Sequence, residues 1–180
     1  MNDAGYRAWI GLPLAAIVAP AHAADYMTPE QAAALFFPQA DTQIPLLLKL
    51  SKEQRNAIKA LSGVRQREKT QSVWRAEAGG ELLGWTIVDD VIGKHEYITY
   101  AAAISPGGRV LGVEILSYRE THGGEVRQAS WREHFVGKTL QNPFKLDVDI
   151  PNISGATLSC RNVTDGVKRL LALQRVALSP

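Results

Sequence analysis

The chain has almost no cysteine: one residue, Cys160, among 180. A single thiol excludes an internal disulfide and the C-x-x-C-H attachment of a c-type haem. Histidine is scarce too. There are four, with no ligand spacing between them, so no metal site is expected. The formal net charge is only +2, and the Arg and Lys residues are scattered among acids. There is no basic stripe with interleaved aromatics, which excludes a nucleic-acid partner. No apolar run reaches the roughly 20 residues needed to span a bilayer. The chain carries no internal repeat, linker or low-complexity tract, and no acid–base pair that points to turnover of a small molecule.

What is present begins at the N-terminus. Arg7 precedes an apolar run from Trp9 to Ala19, and Ala21-His22-Ala23 follows. This is the order of a secretory signal: charged region, apolar region, A-x-A cleavage site. Residues 1–23 are therefore expected to be a signal peptide, with an uncleaved anchor as the alternative. Cleavage after Ala23 removes Asp3 together with Arg7 and leaves the charge at +2. The expected location is the periplasm, with membrane association through a partner.

Thr28-Pro29-Glu30-Gln31 has the spacing of a capping box with proline in the first turn. It predicts a helix running to Phe37 and stopped by Pro38. Ser51-Lys52-Glu53-Gln54 repeats the signal, and Gly63 terminates the second helix. This helical part spans 28–63. The pattern then changes to alternation. Strands are predicted over 72–77, 82–88, 96–104 and 109–118, with Gly79-Gly80 and Pro106-Gly107-Gly108 as turns. Asp89-Asp90 reads as the end of a strand at a solvated turn. Glu125 to Phe135 reads as a helix with Val126, Ala129 and His134 or Phe135 on one face, and Leu146 to Ile150 as a short strand. Val163, Val167, Leu170 and Leu171 make the apolar stripe of a last helix from Leu158 or Ser159 to Leu173. The expected fold class is α+β: an antiparallel sheet of about four to six strands packed against helices.

Ser154-Gly155-Ala156-Thr157-Leu158-Ser159 falls at the entrance of that last helix. Its side chains are small, except Leu158, so a ligand can approach the backbone closely. The first N–H groups of a helix lack partners, and with the helix dipole they suit phosphate. Ser154, Thr157 and Ser159 add hydroxyls. On these residues alone the segment is either a phosphate site or an ordinary capped helix start.

Ser154-Gly155-Ala156-Thr157, with Ser159 two positions on, resembles the flavinylation motif of the FMN-binding domain family. That family includes the flavin subunits of Rnf-type and sodium-pumping NADH:quinone reductase complexes. Further stretches are similar to the family in the same order. Gly93 to Tyr100 resembles its entrance to the central sheet. Gly112 to Gly124 resembles its strand ending in Glu-Thr-x-Gly. Trp131, Phe135 and Gly137-Lys138 resemble its next helix end. The likeness covers residues 70–175, so residues 24–180 are expected to form one FMN-binding domain. There are two departures. Pro151 stands where the family often has an acid, with Asp149 and Asp147 the nearest carboxylates. His122 stands where proline is common.

The resemblance implies FMN, moved from FAD by a flavin transferase and linked through its phosphate to Thr157. Ser154, Gly155, Ala156, Leu158 and Ser159 are the implied surroundings. Glu120, Thr121 and Gly123 belong to the implied loop over the flavin. Lys138 is read either as a neighbour of phosphate or ring oxygens or as a solvated helix-end lysine. His122 reads as a surface loop residue, Cys160 as a small residue in the helix, and Trp74, Trp85 and Trp131 as packing. The implied function is electron relay between a membrane-bound complex or cytochrome donor and a redox partner. The alternatives are a small flavin-dependent reductase of a soluble acceptor and a flavin-free sensor or assembly module.

Overall fold

The computed structural model describes residues 24–178, so the expected signal segment 1–23 lies outside the described residues. Two capping boxes set the first helices. Gln31 N–H donates to the Thr28 hydroxyl at 3.3 Å and Thr28 N–H donates to the Gln31 side chain at 2.8 Å, opening α1, Pro29–Phe36. Ser51 and Gln54 repeat this at 3.2 and 2.9 Å to open α2, Lys52–Ser62, which ends on left-handed Gly63 at φ 77°.

Six strands follow the alternation: β1 (Ala24–Asp25), β2 (Thr42–Lys49), β3 (Thr70–Ala78), β4 (Glu81–Ile92), β5 (Tyr97–Ile104) and β6 (Val110–Tyr118). They form one sheet in the order β1-β6-β5-β4-β3-β2, antiparallel throughout. The α+β expectation thus holds. After the sheet come a short helix α3, Ala129–Arg132, and the long helix α4, Thr157–Leu173.

Strand β5 shows how the layers arise. Successive side chains point to opposite faces. Ile98, Tyr100, Ala102 and Ile104 join Ile58 of α2 and Val163, Val167 and Leu170 of α4 in the main core. The intervening Ala101 and Ala103 face the other way, into small clusters with Ala32 and Phe37 at α1. Alanine on that face lets α1 lie close to the sheet.

Four local readings change. Strand β2 is additional to the expected strands; it is a sheet edge where Pro45 is tolerated, opposite Trp74, and where Leu47 stays 64% exposed. Asp89-Asp90 does not end a strand, because β4 continues to Ile92. Asp89 is buried, accepts from the Tyr100 hydroxyl at 2.7 Å and pairs with Arg169 of α4. Residues 124–135 are not one helix: Gln128 is extended at ψ 134°, which splits them into two 3-10 turns around α3. Val126, Trp131 and Phe135 are buried, whereas Ala129 and His134 are exposed. Finally, Leu146 and Ile150 form a single bridge rather than a strand.

Candidate functional site at the entrance of helix α4

Helix α4 starts at Thr157, with Ala156 as its cap residue, and no side chain caps it. This contrasts with the boxes on α1 and α2. The N–H groups of its first turn point outward without a side-chain acceptor, the arrangement that accepts an anion. Gly155, at φ 82°, makes the turn before it, and Ala156 N–H closes on the Ile153 carbonyl at 3.0 Å. Thr157 is half-buried, Leu158 is 44% exposed and Ser159 is buried.

Two adjoining clefts flank this entrance. One, of about 550 Å³, is lined by Glu120, Thr121 and His122 on one side and by Gly155 to Ser159 on the other, with Lys94 and His95 at its rim. The second, of about 710 Å³, shares Thr121, His122 and Gly155 and adds Gly123 and Ser154. The structure therefore gathers Ser154, Gly155, Ala156, Thr157, Leu158, Ser159, Glu120, Thr121 and Gly123. It does not bring Lys138 there. The Lys138 ammonium donates to Asp149 at 2.9 Å, and Asp149 also accepts the N–H groups of Lys145 and Phe144 at 2.7 and 3.2 Å. Asp149 is thus committed within its own loop, and the Pro151 carbonyl accepts from the Trp131 indole at 2.8 Å.

The loop 119–124 is pinned at both ends. Glu120 accepts the N–H groups of His95 and Glu96 at 2.6 and 3.0 Å. Burial alone raises its carboxyl, but the Glu96, His95 and Lys94 N–H groups outweigh this and hold it below the usual range. Gly93 makes the approach possible, since a Cβ there would run into the Glu120 side chain. At the far end the Tyr118 hydroxyl donates to the His122 carbonyl and lies 3.4 Å from the Ser159 hydroxyl. Burial pushes the Tyr118 phenol up, so it stays a donor. Gly123, at φ 85°, sits where a Cβ would strike Ala156 and the Tyr118 oxygen. Tyr118, Lys94 and His95 lie in stretches that resemble the family, but the sequence assigns them no role of their own. Only the end of a strand two residues before Glu120 points toward Tyr118.

An α+β scaffold with an uncapped helix start opening on two clefts is a site geometry for an anionic small molecule, within the 300–1,000 Å³ range usual for such sites. Residues 93–172 match the FMN-binding domain family. The chain is 31% identical over 113 residues to a subunit of the ion-translocating oxidoreductase complex of Stutzerimonas stutzeri, covering 57% of this chain and 50% of the relative. It thus spans about half the length of that relative. Two solved structures share the fold. One is NqrC of Shewanella oneidensis (TM-score 0.54, 16% identity, 78% of this chain and 85% of that one). The other is a subunit of the Na(+)-translocating NADH-quinone reductase of Parabacteroides distasonis (TM-score 0.54, 14% identity, 86% and 85%). The family agrees with FMN as the cofactor read from the sequence. The site residues fit it: an open helix start for phosphate, a half-buried hydroxyl beside it, and clefts large enough for the rest.

Proposed function

We propose that this protein carries FMN covalently on the Thr157 hydroxyl and relays electrons in the periplasm. The observation that carries the reading is Thr157 itself. It is the first residue of an uncapped helix, accessible from a cleft, within the segment of the FMN-binding family. A flavin transferase acting on FAD supplies the group. The Thr157 oxygen forms a bond to the FMN phosphorus, the phosphorus–oxygen bond to AMP breaks, and AMP leaves with that electron pair. The hydroxyl proton passes to a base of the transferase. The α4 N–H groups then face the remaining phosphate charge.

Bound FMN accepts two electrons and releases them singly; the protein supplies attachment, orientation and electrostatics. Glu120 and Tyr118 hold the loop 119–124 in place, and Leu158 offers an apolar surface beside the anchor. Attachment keeps the cofactor from diffusing away outside the cytoplasm. The Stutzerimonas relative is part of an ion-translocating oxidoreductase complex. A membrane-bound electron-transfer complex or a cytochrome is the matching donor here, and a second redox protein the acceptor. No described helix is long and apolar enough to cross a membrane.

The test is peptide mass mapping after export and co-expression with a flavin transferase. The wild-type peptide containing Thr157 is expected to gain the mass of FMN less water, and Thr157→Val is expected to lose it. An unmodified wild-type peptide, or a Thr157→Val protein that still carries the flavin, overturns the reading.

A further inference from the structure

Thr157 lines a third cleft, of about 330 Å³, on the side of α4 away from Glu120 and His122. Apart from Thr157 it shares no lining residue with the cleft of Lys94, His95 and Leu158. The anchor threonine therefore stands between two spaces of different chemistry. The larger space holds Leu158, Ala156 and Gly155 and connects with the cleft around Gly123. The smaller one holds Lys145 and Arg161, with the carboxylates Asp147 and Asp165.

We infer that the anchored cofactor straddles Thr157, with its phosphodiester charge turned to Arg161 and Lys145 and its ring system in the larger cleft. The inference rests on FMN attachment at Thr157. Three observations support it. Arg161 follows Thr157 by four residues, so the two lie on one stripe of the helix. Helical side chains lean toward the N-terminus, which brings the guanidinium back over the first turn. Among the described residues, neither Arg161 nor Lys145 lies within ion-pair distance of a carboxylate, Asp147 and Asp165 included. Both cations are exposed, and the Arg161 guanidinium acts on the Asp165 carboxyl from beyond ion-pair distance. Size completes the division: the smaller cleft takes a charged end, while the connected pair of clefts has room for a flat tricyclic ring. Guanidinium and phosphate form charge-assisted, often bidentate hydrogen bonds.

The experiment compares the exported wild type with Arg161→Gln and the Arg161→Gln/Lys145→Gln pair. Arg175→Gln serves as a control that removes one exposed charge outside this cleft. Each is co-expressed with a flavin transferase, and intact mass follows the modified fraction over time. Melting of modified and unmodified protein is then recorded at low and high salt. Wild type and Arg175→Gln are expected to gain melting temperature on modification, and salt is expected to reduce that gain. In Arg161→Gln the salt-sensitive gain disappears and modification runs roughly fivefold slower. An Arg161→Gln protein that matches Arg175→Gln in both rate and gain overturns the orientation while leaving attachment at Thr157 intact. A wild type that is never modified overturns both.

Discussion

Glu120 is expected from the sequence as a flavin neighbour, and its carboxylate turns out to be spent on the backbone of the turn 93–96. Its contribution is to fix Lys94 and His95 at the cleft rim. Glu120→Gln keeps an acceptor of the same shape and removes the charge. A hydrogen bond to a charged group is worth more than a neutral one, so about 1 kcal/mol of local stability is expected to go. Amide exchange at His95 and Glu96 is then expected to quicken about fivefold, with little change in global melting. Unchanged exchange would refute the pinning role.

Asp149 gives a prediction in pH. Burial raises its carboxyl, but the Lys145 N–H, the Lys138 ammonium and the Phe144 N–H outweigh this and leave it below the usual aspartate value of 3.8. A carboxyl depressed on folding contributes stability that is complete above its unfolded value and is lost as pH falls through its folded value. Asp149→Asn also strands the nearly buried Lys138. A deficit of about 2–3 kcal/mol by urea unfolding is expected at neutral pH. The deficit should stay level down to about pH 5 and narrow as the pH falls past 3.8. A deficit that does not change with pH would mean that the charge is not what Asp149 contributes.

Among the elements, α4 matters most, since it begins at Thr157, the proposed anchor, and supplies seven buried residues of the main core between Cys160 and Leu173. Gly166 lies close against the sheet. A Cβ there would fall on the Tyr100 hydroxyl and lie 3.2 Å from Val91. Alanine is the better helix former by about 1 kcal/mol, but overpacking costs about 1–3 kcal/mol and here also displaces a buried Tyr100–Asp89 bond. Gly166→Ala is therefore expected to destabilise by about 2 kcal/mol in urea unfolding. A stabilised protein would show that α4 lifts freely.

The same helix shows what can be read from residues alone. Its stripe of Val163, Val167 and Leu170 and the two capping boxes are local patterns, complete within a few positions, and they stand where expected. The small residues before Thr157 are local as well. Asp89 is misleading in the sequence because its partner Arg169 is 80 residues away, and two adjacent aspartates look like a turn without it. Strand β2 is hidden because an edge strand buries neither face fully, so Leu46-Leu47-Leu48 need not alternate. Lys138 lies in the expected stretch but is bound by Asp149, a pairing that only the folded loop reveals.

At the scale of the whole molecule, the family segment 93–172 is not self-sufficient in packing. Strands β3 and β4 lie outside it yet pair directly with the sheet that carries the site, and α2 packs on α4. Ile58 of α2 is fully buried in the same cluster as Val163 and Val167. Residues 24–178 are therefore expected to unfold as one unit, as the reading of one domain requires. Ile58→Ala tests this, because a buried isoleucine truncated to alanine costs about 2–5 kcal/mol, a large share of the 5–15 kcal/mol that holds a typical domain. Tryptophan fluorescence and far-UV circular dichroism are expected to shift together to lower urea, in one transition. The tryptophans make the test sharp: Trp131 lies within the family segment, and Trp74 and Trp85 lie before it. If Ile58→Ala instead yields two transitions, with the Trp131 signal at its wild-type position, the helices before residue 70 are an appendage and the site stands without them.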